Sequence, residues 1–134
     1  ALITASDVTA LNGLNLFQPS GWTYPPFNNG NAKTQIRNYL LSATAVDMRW
    51  MLSAQLIATK LNVLHEFLDP RTIVYVDNGN GFMTIGEIID GAISALNGGT
   101  PRATQEYWKN LLDGLNNNRL PFLCPEPCLP ITYP

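Results

Sequence analysis

Thr44-Ala45-Val46-Asp47-Met48-Arg49-Trp50-Met51-Leu52-Ser53-Ala54-Gln55-Leu56-Ile57-Ala58-Thr59-Lys60-Leu61-Asn62-Val63-Leu64-His65-Glu66-Phe67-Leu68-Asp69-Pro70 is the stretch that decides the fold. Thr44 with Asp47 three residues on is a capping-box pattern, and it predicts a helix over about Ala45 to Phe67. Trp50, Met51, Ala54, Ile57, Ala58, Leu61, Leu64 and Leu68 recur at steps of three and four, the spacing of one buried helical stripe. Asp69-Pro70 ends the run, because the residue before a proline avoids helical geometry.

Upstream, Ser6 is placed to cap a short helix reaching about Leu14, with Leu11 and Leu14 inward and Gly13 weakening it. Residues 19–30 read as a loop whose Trp22, Tyr24 and Phe27 fold back onto the core. Asn31 then caps a helix over about Ala32 to Ser42, with Ile36, Tyr39 and Leu40 on one side. Downstream, the β-branched and aromatic run Thr72-Ile73-Val74-Tyr75-Val76 predicts a strand. Asp77-Asn78-Gly79-Asn80-Gly81 turns the chain so that Phe82-Met83 pairs back. Thr84 with Glu87 is a further capping box, opening a helix to about Leu96 that Gly98 and Gly99 stop. Thr100-Pro101 begins the last helix with proline at its first position, and Tyr107, Trp108, Leu111, Leu112 and Leu115 form its inner face. The final sixteen residues hold five prolines and read as an extended strap. The expectation is a mainly α chain: a compact bundle of four to five helices with a small β-hairpin and an extended Pro-rich C-terminal strap. It forms a single domain over 1–134, with an N-terminal arm and loop at 1–30, a helical core at 31–118 and the tail at 119–134.

The 134-residue chain has an unusual balance of polarity. Only 13% of it is Asp, Glu, Lys or Arg, about half the usual share of roughly 25%. Fourteen Asn and eleven Thr supply polarity instead, and the net charge is −2. Eight scattered cations make no stripe for neutralising phosphates, which argues against a nucleic-acid partner. The longest helix is broken by Asp47, Arg49, Gln55, Lys60 and Asn62, so it makes no membrane span. The chain opens at Ala1 without a charged and then apolar leader, as expected of a mature secreted product or of a piece of something longer. Cys124-Pro125-Glu126-Pro127-Cys128 reads as a short disulfide loop, with two thiols as the alternative.

Three constellations bear on chemistry. Val76 to Glu87 aligns with a twelve-residue calcium loop, placing Asn78 third, Asn80 fifth, Gly81 sixth and Glu87 last, with Asp77 as a neighbouring carboxylate. Val76 stands where that loop has its first Asp, so a plain Asn/Gly turn before a capped helix competes with a Ca2+ site. Trp22, Tyr24 and Phe27 offer either a platform for a glycan or partner, or core packing. His65, Glu66 and Asp69 cluster at the end of the long helix, where a hydrolase using His65 and Glu66 competes with a solvated helix end. No Gly-x-Ser-x-Gly elbow, phosphate loop or dinucleotide fingerprint is present in the sequence.

The run Met51-Leu52-Ser53-Ala54-Gln55-Leu56-Ile57-Ala58-Thr59-Lys60-Leu61-Asn62-Val63 resembles a helix of a group of poorly characterised secreted bacterial surface proteins. In them a segment like LAHQLIAAKLN follows a GYWKxHP motif, which this chain lacks. Their domain closes near a stretch that Leu112-Asp113-Gly114-Leu115-Asn116-Asn117 resembles, so the likeness spans about Asn31 to Asn118. It implies an exported, non-catalytic domain. The function expected is therefore a secreted, cell-surface or fibre-forming structural subunit that associates with copies of itself. The alternatives are a calcium-assisted glycan-binding or adhesion module, and a hydrolase.

Overall fold

A computed structural model describes residues 3–17, 27–28, 30–76, 81–117 and 122–123. The chain is mainly helical. Among the described residues five helices, α1 (Ala5–Asn12), α2 (Ala32–Ser42), α3 (Met48–Leu64), α4 (Ile85–Asn97) and α5 (Arg102–Asn116), accompany a small antiparallel sheet of β1 (Ile73–Val76), β2 (Gly81–Thr84) and β3 (Phe122–Leu123). The sheet order is β2-β1-β3, so the segment expected to be a Pro-rich strap contributes a two-residue strand beside β1. The rest of that strap lies outside the described residues.

Each helix start shows which polar group takes up the orphaned N–H groups of a first turn. In α1 the cap is Thr4 rather than Ser6. Thr4 Oγ1 accepts from Asp7 N at 3.2 Å and Asp7 Oδ2 accepts from Thr4 N at 3.0 Å, a complete capping box. In α3 the cap is Asp47 itself, accepting from Arg49 N, so the helix starts three residues later than the Thr44 pattern implied. The Asp47 carboxylate also holds the Arg49 guanidinium in a two-pronged pair, and that hydrogen bonding sets its pKa below the usual carboxylate range. Asn31 does precede α2, but its side chain makes no cap bond; Asn28 Oδ1 accepts from Asn31 N instead. The Thr84–Glu87 capping box of α4 forms as the sequence indicates. Pro101 stands one place before α5, at the cap.

Helix α3 is the spine, and it packs most extensively on α5, which packs in turn on α4. Its buried line is Met48, Leu52, Ser53, Leu56, Ile57 and Thr59. This is rotated from the stripe the apolar spacing suggested, which leaves Trp50, Met51, Ala54, Ala58 and Leu61 half-buried at its margins and Leu64 exposed. The rotation follows from Ser53 and Thr59, polar residues that bury without cost because they are hydrogen-bonded. Ser53 Oγ accepts from Phe17 N at 3.0 Å, and Thr59 Oγ1 donates back to Gln55 O at 2.8 Å. Leu40, expected inward on α2, is exposed, while Ile36 and Tyr39 are buried.

Two neighbouring contacts set close tolerances. In α4, a Cβ built on Gly91 would lie 2.7 Å from Cζ2 and Cζ3 of Trp108 in α5, so the absence of a side chain is what lets the indole lie on that helix. Tyr39 is fully buried, and its hydroxyl donates to Phe17 O at 2.5 Å. Burial pushes that phenol up to about 12. In the sheet, Val74 and Val76 face the core, while Tyr75 and Phe82 stand opposite one another on the exposed side with ring centroids 5.3 Å apart.

Candidate functional site

The side chains of chemical interest converge where α3 ends. His65 is the C-cap of α3, and Glu66 follows it with φ +65°. Glu66 N donates to Val63 O and Phe67 N to Asn62 O, the paired bonds of a Schellman ending, whose left-handed position glycine normally fills. That ending explains why the helix stops at Leu64 and not at Phe67. Replacing Glu66 with glycine is expected to relieve the strained backbone and stabilise the fold by about 0.5–1 kcal/mol. Chemical denaturation reads this out, and a lower midpoint for the variant would show that the glutamate side chain itself holds the turn together.

His65 reaches back across the molecule to α1. Its Nε2 lies 2.8 Å from Asp7 Oδ2, the same oxygen that accepts from Thr4 N. An ionised carboxylate only accepts, so Nε2 carries the proton of this bond. Asp7 is buried, with 6% of its side chain exposed. Burial pushes its carboxyl up, but the hydrogen bonds from Thr4 and His65 and the nearby imidazole together outweigh burial and leave it below the usual carboxylate range. The sequence reading placed Asp7 in an apolar segment and gave it no role. The Thr4-x-x-Asp7 spacing was the signal for its capping half; nothing in the sequence signalled a partner fifty-eight residues away.

Among the described residues, open clefts border this corner. One, about 590 Å³, is lined by Val63, Glu66, Leu68, Asp69, Pro70 and Arg71. A second, about 280 Å³, lies between Asn62, Phe67, Leu68, Leu115 and Asn116, and a third of about 130 Å³ is lined by Ile3, Leu61, Asn62, His65 and Phe67. His65 and Glu66 thus line different clefts, and the imidazole is committed to Asp7. Asp69 is held by Arg71 through Nε at 3.2 Å and Nη2 at 2.9 Å, and those hydrogen bonds keep it below the usual carboxylate range. Behind the second cleft runs a polar seam between α3 and α5 that the sequence did not disclose. Asn116 Oδ1 accepts from Asn62 Nδ2 at 3.1 Å, and Asn116 Nδ2 donates to Gln55 Oε1 at 2.8 Å.

Of the calcium set, Asp77, Asn78 and Asn80 lie outside the described residues. Glu87 is exposed, with Oε1 engaged by Thr84 N at 2.8 Å in the capping box. Among the described residues no group of three or more His, Cys, Asp or Glu stands together as a metal site. Trp22 and Tyr24 also lie outside the described residues. Of the two readings of Phe27, glycan or partner surface and core packing, the structure shows the second: it is 1% exposed and packs edge-on against Tyr39 at 5.8 Å. Its backbone is clamped there by Asn12, which donates to Phe27 O and accepts from Phe27 N. Cys124 and Cys128 lie outside the described residues. Among the described residues no helix is long and apolar enough to cross a membrane.

Among the described residues, the large apolar groups that face solvent lie in three places. Leu40, Leu41 and Val46 mark the passage from α2 to α3, Leu64 and Phe67 the end of α3, and Tyr75 and Phe82 the open side of the sheet. Comparison with protein-family models, with curated proteins and with solved structures finds no match to the chain.

Proposed function

We propose that the chain is a structural subunit that associates with copies of itself, outside the cell or at its surface. The observation that carries this reading is the corner between α2 and α3. From Leu40 to Val46 there is no charged residue, and Leu41 and Val46 are 73% and 90% exposed. Beside it, Asp47 and Arg49 neutralise each other in their own pair. Single exposed leucines are ordinary, but an uncharged run with its largest side chains in water is the character of an interaction surface. The exposed Tyr75–Phe82 pair supplies a second apolar surface on a different element. Two unlike surfaces on one subunit suit head-to-tail contacts, which extend into filaments where the rotation does not close. The setting outside the cell rests on the charge-poor composition and on the resemblance of residues 51–63 to exported surface proteins. The hydrogen bond that commits His65 to Asp7 favours this reading over a hydrolase.

The test pairs the parent chain with a Leu41→Glu, Val46→Glu double variant, both positions being exposed and outside the core. Size-exclusion with light scattering should show a parent mass above 14.8 kDa that grows with concentration. The variant should return to the monomer with an unchanged circular dichroism spectrum. A parent that stays monomeric at the highest concentration reached rejects the proposal.

A further inference from the structure

The sequence holds five Asn-Gly pairs, beginning at Asn12, Asn29, Asn78, Asn80 and Asn97. Two of them occupy equivalent places. Asn12 is the last residue of α1 and is followed by the C-cap Gly13; Asn97 is the last residue of α4 and is followed by the C-cap Gly98. A glycine after asparagine leaves its backbone nitrogen without a flanking Cβ, open to close approach by the preceding side chain. That nitrogen can attack the asparagine Cγ. The Cγ–Nδ2 bond breaks, ammonia leaves with the proton from the backbone nitrogen, and a five-membered succinimide forms. Water then opens the ring at one of its two carbonyls, giving aspartate or isoaspartate. Water is the only co-reactant, and no electrons are exchanged.

We propose that Asn97 is a site of this spontaneous modification and that the fold shields Asn12 from it. The Asn12 amide is held at both ends. Nδ2 donates to Phe27 O at 2.9 Å and Oδ1 accepts from Phe27 N at 3.3 Å, while Gly13 N is occupied by Thr9 O at 3.2 Å. Attack at that Cγ requires these bonds to open together. Asn97 is exposed, and its Nδ2 donates at 3.0 Å to Ile93 O one turn back, itself at the solvent-facing end of the helix. Gly98 and Gly99 follow, the latter at φ +65°, and the last turn of α4 carries no basic residue to hold the helix end. Conversion replaces a neutral amide by a carboxylate at the negative end of the α4 dipole and removes the donor to Ile93 O, so the modified helix end frays. It also adds a negative charge to a chain whose net charge is only −2.

The test follows conversion at each asparagine by digestion and mass spectrometry while the full chain stands folded in mildly alkaline buffer, with a urea-unfolded sample as reference. In the folded chain Asn97 should convert at least about ten-fold faster than Asn12, since two further hydrogen bonds must open at Asn12. In urea the two rates should draw together. An Asn97→Gln variant, whose longer side chain disfavours the five-membered ring, should lose the fast-appearing acidic species on isoelectric focusing. Equal rates in the folded chain, faster conversion at Asn12, or an unmodified Asn97 in the folded chain after the unfolded chain has converted would each overturn the proposal.

Discussion

Gly91→Val is expected to destabilise the fold by about 2–3 kcal/mol, because the first added carbon would already lie 2.7 Å from Cζ2 and Cζ3 of Trp108. Neither neighbour can yield cheaply. The α4 backbone is fixed by Ile88, Ile89, Ala92 and Ala95 on its buried side, and Trp108 is wedged between that helix and Tyr107, its ring 5.1 Å away. Valine adds a small further penalty through its poorer helix propensity. Urea denaturation measures the loss. The same contact predicts strong coupling: Trp108→Leu opens space at position 91, so the double variant should cost less than the two single changes together by about 1 kcal/mol or more. Additive costs would show that the indole does not lie on Gly91.

Asp7→Ala is expected to cost about 2 kcal/mol near neutral pH. It removes the acceptor for Thr4 N at the start of α1 and leaves His65 without its buried partner. The pH dependence has a definite sign. A carboxyl whose folded pKa lies below its unfolded value of 3.8 contributes stability that is fully present above 3.8 and is lost as pH falls through the lower, folded value. Parent and variant curves should therefore stand furthest apart at neutral pH and converge below about pH 4. Asp7→Asn keeps an acceptor for Thr4 N but no charge, and should retain part of the stability with that acid-dependent part removed. A parent–variant gap that persists unchanged to the lowest pH would contradict the role given to the Asp7 charge.

Helix-forming runs, turn chemistry and the strand were legible because each rests on residues near one another in sequence. Thr84 with Glu87 sealed α4 as read, and Val74 and Val76 alternate with Tyr75 as a half-buried strand should. What escaped depends on contacts between distant segments. The inner line of α3 includes Ser53 and Thr59, whose hydroxyls meet Phe17 N and Asn116 Oδ1 from other segments. A count of apolar spacing passes over such residues. Phe27 packs in the core, as one of its two sequence readings expected, but the Asn12 clamp and the Tyr39 ring that hold it there come from other segments. The corner at His65 was found, but its partner was not, since Asp7 sits at the other end of the fold. Leu41 and Val46 could be named as apolar but not as exposed, and Val46 lies outside α3 because Asp47, not Thr44, caps that helix.

The sparse charge separates the proposed assembly from other kinds of association. Contacts of the proposed kind, on Leu41, Val46, Tyr75 and Phe82, would bury apolar surface, whose stabilisation does not depend on screening of charge. Sedimentation equilibrium of the full chain over a concentration series, in about 0.05 M and about 0.5 M salt, tests the proposed self-association. If the chain assembles as proposed, its average mass rises with concentration well above 14.8 kDa and does not fall at the higher salt. A mass fixed at the monomer in both conditions would contradict the proposal.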